Sequence, residues 1–271
     1  YGPYRISTDY ADYSASDREA FITEAVELAD GEVDYSDYDA DGDGYVDAVI
    51  VVASEYIQVL GYESAHQSAI TDYTTDDGAV VSEYTSQRED CSVGIYCHEF
   101  GHVLGLPDLY SGGSGQAISV GEWGLMGYGG SNDPPAHFCG WSKIELGWIS
   151  PIEITASVEN QPIGNMEEYG HVYKLFISGI GKSEYLLVEN RQPIGSDAGL
   201  PGDGLLIWHA GYHDPSYPAT SYYDNHVVLV PAGEGEPGDG PAEGQALQSH
   251  VLQGAREAQR GAQHHGSVHA A

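Results

Sequence analysis

The chain has 271 residues, 41% of them apolar, enough for one large or two modest domains with real cores. With 42 acidic against 9 basic residues, its formal net charge is −33, which excludes nucleic acid as a partner and sets the chain against anionic membrane surfaces. The longest apolar run, 48–53, is strand-sized and too short to span a bilayer, so no membrane insertion is expected. This acidity suits a secreted protein or one adapted to high salt, and the scarcity of lysine (only Lys143, Lys174 and Lys182) leans slightly toward salt.

The chain opens Tyr1-Gly-Pro-Tyr, with neither a Met nor a basic leader, as a mature or trimmed fragment would. Ser16-Asp17-Arg18-Glu19 reads as a capping box opening a helix to about residue 29, with Phe21, Ala25 and Leu28 on one face. An acidic loop follows, then a buried strand over 46–53. Residues 54–78 are polar and Gly/Ser/Thr-rich and read as irregular. A strand is expected over 79–85, lying along a substrate cleft with an edge open to an extended peptide. A helix is expected over 92–104, a Gly-rich loop over 111–135 and a second helix over 136–145. Beyond residue 151 the pattern changes to strands: 172–177 and 185–189 as a hairpin, then 205–208 and 226–230. From about residue 232 the chain lacks Tyr and is rich in Gly, Ala, Gln and His, so disorder is expected. After Gly240 it reads as a linker or as an out-of-frame translation.

The helix at 92–104 carries His98-Glu99-Phe100-Gly101-His102-Val103-Leu104-Gly105-Leu106-Pro107-Asp108. Residues four apart share a helix face, so His98 and His102 can point imidazoles at one metal ion. Glu99 projects beside them and can act as general base on a metal-bound water. Gly105 suits the left-handed residue that ends the helix, and Asp108 could then return as third ligand. Two imidazoles and a carboxylate leave a catalytic zinc one position for water. The flanking Val93, Ile95 and Tyr96, with Val103 and Leu104, suit a buried helix. Downstream, Met126 is one of two methionines and lies where a methionine turn would sit beneath such a site. Tyr128 follows it and could bind the metal or steady a tetrahedral intermediate; ordinary packing is the competing reading for both.

The second chemical feature is Asp37-Tyr-Asp-Ala-Asp-Gly-Asp-Gly-Tyr-Val-Asp47. Read from Asp39, it places Asp39, Asp41, Asp43, Gly44, the Tyr45 carbonyl and Asp47 as the first three-quarters of an EF-hand-type calcium loop. The closing Glu is absent, because Ile50 stands there, so the loop is not a full EF-hand. Calcium is favoured over a merely solvated acidic turn, with a structural role. Among three cysteines, Cys91 and Cys97 could pair only if Cys91 precedes the helix; Cys97 reads as a buried inert thiol, and Cys139 completes the set. His137 could line the site or serve an orienting or surface role. His209, His213 and His226 could form another metal site, but their irregular spacing favours structural or surface roles.

These blocks, with Gly121-Glu-Trp-Gly-Leu-Met126, Trp141-Ser-Lys-Ile-Glu-Leu-Gly-Trp148 and Leu200-Pro-Gly-Asp-Gly-Leu-Leu-Ile-Trp-His209, resemble the M6 family of secreted metallopeptidases, the immune inhibitor A type, in the same order. The resemblance implies an α+β zinc endopeptidase with a metzincin-like catalytic domain over 1–150, truncated at its N-terminus. A β-rich accessory region over 151–231 would follow; the low-complexity tail over 232–271 departs from the acidic, calcium-compatible continuation expected in the family. The resemblance carries over His98 and His102 as ligands, Glu99 as base and bound calcium; Asp108 matches the family's Asp, with Glu122 as the alternative third ligand. Tyr128 departs from the small residue expected after the family's methionine, and Cys139 from a small polar one.

The reading is therefore a secreted, calcium-stabilised zinc endopeptidase acting on extended protein or peptide segments. The competing class is an inactive peptidase-like, calcium-dependent binding or adhesion module; a calcium-dependent carbohydrate-binding scaffold rests only on the acidic loop and the β-rich region. Oligomeric state, cleavage preference and physiological substrate are not encoded in any recognisable pattern.

Overall fold

The computed structural model describes residues 2–6, 15–54, 65–110, 120–176, 184–211 and 227–230. The chain divides into two compact units with the boundary between Pro107 and Asp108. Helices and mixed sheets give an α+β architecture.

In the first unit, helix α1 (Ala15–Asp30) packs on a three-stranded sheet of β1 (Val49–Ala53), β2 (His66–Thr74) and β3 (Val80–Arg88), ordered β1-β3-β2. β1 runs parallel to β3 and β2 antiparallel to it. Helix α2 (Val93–Val103) follows β3 directly. The core gathers Ile22, Val26 and Ala29 of α1 with Val33, Tyr35, Val46, Ile70, Ala79, Val81 and Tyr84.

Several expectations are corrected here. The helix starts at Ala15, ahead of Ser16, and Glu19 accepts from the backbone amide of Thr71 rather than closing a capping box. Its buried face is Ile22, Val26 and Ala29, while Leu28 is exposed; the spacing of four and three follows the sheet. The continuous ladder of β1 begins only at Val49: an isolated bridge pairs Tyr45 with Val80 in the same register, but the Asp47 amide turns away to the Tyr38 carbonyl. β1 is not a buried strand: it lies at a sheet edge, and Ile50 and Val52 are 48% and 53% exposed. Residues 54–78 are not irregular throughout, since β2 is nine residues long. Only Ile70 of β2 is buried, so the apolar alternation that betrays a strand is missing. β3 is the central strand, paired on both sides, and offers no open edge.

In the second unit, five strands form one sheet: β4 (Ile152–Ile154), β5 (Val172–Phe176), β6 (Tyr185–Arg191), β7 (Gly204–Ala210) and β8 (Val227–Leu229), in that order. Only β4–β5 is parallel. The expected hairpin and later strands are β5 to β8; β4 and the one-turn helix α4 (Met166–Tyr169) carry too few residues to announce themselves. Helix α3 spans only Gly140–Glu145, not 136–145. The preceding residues are extended because the Ala136 amide donates to Gly129, the His137 amide to Asp197 and the His137 carbonyl accepts from Leu125. The Gly-Ile-Gly-Lys turn at 179–182 expected between the hairpin strands, the loop at 111–119, His213, His226 and the tail from 232 lie outside the described residues.

Candidate metal centre

β3 ends at Arg88, a short turn follows, and Ser92 caps α2 by accepting from the Ile95 amide at 3.4 Å. Helix α2 then delivers His98 and Glu99, which are 8% and 7% exposed, and His102, which is half-buried. The two imidazoles lie one turn apart, with centroids 4.9 Å apart and planes at 86°. The helix ends as Gly105 requires: its φ is +93°, the Leu106 amide reaches back to Gly101 and the Gly105 amide to His102. This is a Schellman closure, and an L side chain at Gly105 would be strained there.

That turn also sets a tautomer. His102 Nδ1 lies 2.8 Å from the Leu106 carbonyl, which can only accept, so Nδ1 carries the proton and Nε2 is left as the ligand atom. His98, His102 and Asp108 each offer a ligand atom, and all lie within 4.8 Å of one another. Glu122 does not belong to this group: it is exposed in the 3-10 turn Gly121–Trp123. The helix is less buried than its composition implies, with Val93, Phe100 and Leu104 exposed. Cys97 is exposed rather than buried, and all three cysteines are free; Cys139 is buried, which pushes its thiol pKa up.

Met126 is 1% exposed, and its carbonyl accepts from the Leu109 amide at 2.7 Å, tying the residue after Asp108 to the methionine turn. Tyr128 is 49% exposed and stacks on Tyr110 at 5.7 Å. His137 is half-buried, with Nδ1 3.2 Å from Lys143 Nζ; burial and that cation hold its pKa low. His209 pairs with Glu184 at 2.6 Å.

The acidic loop gathers Asp39, Asp41 and Asp43, whose carboxylate oxygens lie within 4.8 Å of one another. Asp39 accepts from the amides of Gly42, Asp43 and Gly44, and Gly44 holds a φ of +90° to make that wrap. Asp47 lies outside that group, its Oδ2 taken by the Ala40 amide, and Tyr45 bridges to Val80 at the start of β3.

Sequence reasoning missed a buried charge cluster in the second unit. Arg191 donates through Nε and Nη2 to both oxygens of Asp197, at 2.8 and 2.7 Å, and through Nη1 to the Trp123 carbonyl at 2.9 Å and Glu189 at 3.3 Å. Glu167 lies 3.4 Å from Nε, and the Trp208 indole donates to Glu189. Arg191, Glu189 and Asp197 are fully buried. A lone arginine among ordinary strand residues gives no local signal of this; its partners are up to 68 positions away.

Among the described residues, no helix is long and apolar enough to cross a membrane. The family model for the immune inhibitor A peptidase M6 catalytic domain matches residues 19–143, which include both acidic loop and metal centre. Two curated relatives, the pre-pro-metalloprotease PrtV of Vibrio cholerae serotype O1 strains M66-2 and ATCC 39315, are 39% identical over 70 residues. That stretch is 22% of this chain and spans 7% of each relative's length. Over residues 19–143 the chain is therefore similar to the catalytic domain of the immune inhibitor A type M6 peptidases.

Proposed function

We propose that this chain is a secreted zinc endopeptidase with a metzincin-like catalytic domain. In this reading His98, His102 and Asp108 hold the metal and Glu99 is the general base. The observation that carries the reading is the convergence of those three ligand atoms within 4.8 Å, inside a stretch matched as a peptidase catalytic domain. The donor set fits a catalytic zinc: two neutral imidazoles, one with its tautomer fixed by Leu106, and one carboxylate. Zinc bound there would lower the pKa of a water to about 7 and polarise the scissile carbonyl.

The chain's own residues supply the proton steps. Glu99, next to His98 and shielded from bulk water, takes the proton of the attacking water on a carboxylate oxygen and returns it to the leaving amine nitrogen. The Tyr128 hydroxyl is the candidate donor to the developing oxyanion. Gly105 and Met126 are structural. Asp39, Asp41 and Asp43, with the Tyr45 carbonyl and Asp47, form a calcium site that fixes the start of β3, the strand leading into α2. Substrates are extended segments of other proteins. The catalytic domain is assigned to 1–150, the β-rich accessory region to 151–231.

The test is hydrolysis of casein or a quenched peptide, with metal content by mass spectrometry, for the native chain and Glu99→Ala. The expected result is about one zinc in each and a loss of about 10²-fold or more in kcat for the variant. Zinc without cleavage in either would mark an inactive peptidase-like binding module. A folded sample that takes up no zinc would end the reading.

A further inference from the structure

We propose that Arg191 and Asp197, on and just after a strand well past the matched catalytic segment, are positioning residues for the methionine turn and through it for Asp108. The inference rests on the reading of Asp108 as a metal ligand for its catalytic consequence, though not for its structural one.

Two arms leave the Arg191–Asp197 pair. Arg191 Nη1 holds the carbonyl of Trp123 at 2.9 Å, at the end of the 3-10 turn Gly121–Trp123. Asp197 Oδ1 holds the amide of His137 at 2.8 Å, and the His137 carbonyl takes the amide of Leu125 at 3.1 Å. The turn is thus fixed at Trp123 from one side and at Leu125 from the other, immediately before Met126. The Met126 carbonyl receives the amide of Leu109 at 2.7 Å, one residue past Asp108. Within the turn, the Tyr128 amide donates to Gly121 and the Gly129 amide to Gly124.

The pair is built to be rigid. A planar guanidinium grips both oxygens of one carboxylate, the arrangement that an ammonium cannot reproduce. It sits fully buried, with Glu189 locked by Trp208 and Glu167 locked by the Gln192 amide around it. A buried donor left unpaired is costly, and each nitrogen of Arg191 has an acceptor, although Glu167 Oε2 and Glu189 Oε2 are buried without a partner. Residues from 167 to 208 therefore brace a turn that lies inside the matched peptidase stretch 19–143.

The experiment uses the whole 271-residue chain. Arg191→Lys removes the grip on Trp123, and Asp197→Asn places a donor where His137 or Arg191 needs an acceptor. Hydrogen exchange by mass spectrometry is read on peptides covering 106–110 and 121–129, and on β1 and β3 as controls. Faster exchange in the two turn peptides of both variants, with β1 and β3 unchanged, is expected. Peptide hydrolysis should then fall by about tenfold to a hundredfold in kcat, with KM changed far less and zinc retained. Exchange unchanged in the turn, or raised uniformly over the chain, would overturn the proposal. So would failure of both variants to fold, which would make the pair a folding determinant instead; if only one folds, it decides. If the native chain cleaves nothing while the turn still loosens, the peptidase reading fails and the bracing role stands.

Discussion

Two regions of this protein collect carboxylates, and they solve the problem of like charge differently. The loop 37–47 holds five carboxylates in eleven residues, with Asp41, Asp43 and Asp47 exposed. No lysine or arginine occurs anywhere between Arg18 and Arg88. Backbone amides of Gly42, Asp43 and Gly44 orient Asp39, and the proposed countercharge is a calcium ion from solution. The cluster around Arg191 is sealed from water, and its countercharge is covalently part of the chain. The first arrangement makes local order depend on the medium; the second makes it independent of the medium but intolerant of substitution.

The sharpest way to break that contrast is Arg191→Met. Removing the guanidinium would strip Glu167, Glu189 and Asp197 of the cation that binds them, with Lys143 left as a nearby charge. Breaking a buried pair in this way costs about 3–5 kcal/mol. Urea unfolding at neutral pH should show the loss, and added calcium should not restore it. A loss under about 1 kcal/mol would mean the cluster is solvated, contrary to its burial.

The loop should behave in the opposite sense. Calcium at about a hundred times its dissociation constant should stabilise the native chain by about 2.7 kcal/mol, through binding the folded state alone. Asp41→Asn should remove most of that increment while changing little in chelator, because Asp41 is exposed and its one internal bond is to the Asp43 amide at 3.2 Å. A thermal midpoint that ignores both calcium and chelator would identify the loop as a solvated turn.

The same contrast explains what the sequence disclosed. The metal helix was legible to its caps because its instructions are local: His98 and His102 four apart, Ser92 before, Gly105 after. The acidic loop was legible for the same reason. β2 was not, because Ile70 is its one buried residue and Tyr73 alone adds a partly buried apolar side chain to the core. The start of α3 was misplaced because residues that would have extended it are claimed by distant acceptors, Asp197 at a separation of 60 for the His137 amide. Cys97 is exposed although its neighbour His98 is buried, because adjacent residues on a helix point to different faces. The Arg191 cluster was invisible, since its logic exists only once β6, α4 and the methionine turn are brought together.

The smallest expected effect comes from the proton inside that cluster. Glu167 has its pKa raised above the ordinary 4.5, first by burial and then by a hydrogen bond with Asp197. Asp197 is lowered below 3.8: burial alone would raise it, but the Arg191 bonds and charge and the Glu167 bond outweigh that. The two signs oppose each other. Asp197 contributes stability above its unfolded value, lost as pH falls through its lowered folded value. Glu167 contributes stability below its unfolded value, lost as pH rises through its raised folded value. Glu167→Gln fixes the protonated pattern: the amide NH₂ can donate to Asp197 at every pH, and its oxygen can still accept from the Gln192 amide as Glu167 Oε1 does at 2.9 Å. The variant should therefore match the native chain below the unfolded glutamate value, gain on it in thermal midpoint as pH rises from there through the raised value of Glu167, and hold that gain above it. A variant that instead loses stability as pH rises would show that Glu167 serves Arg191 as a carboxylate.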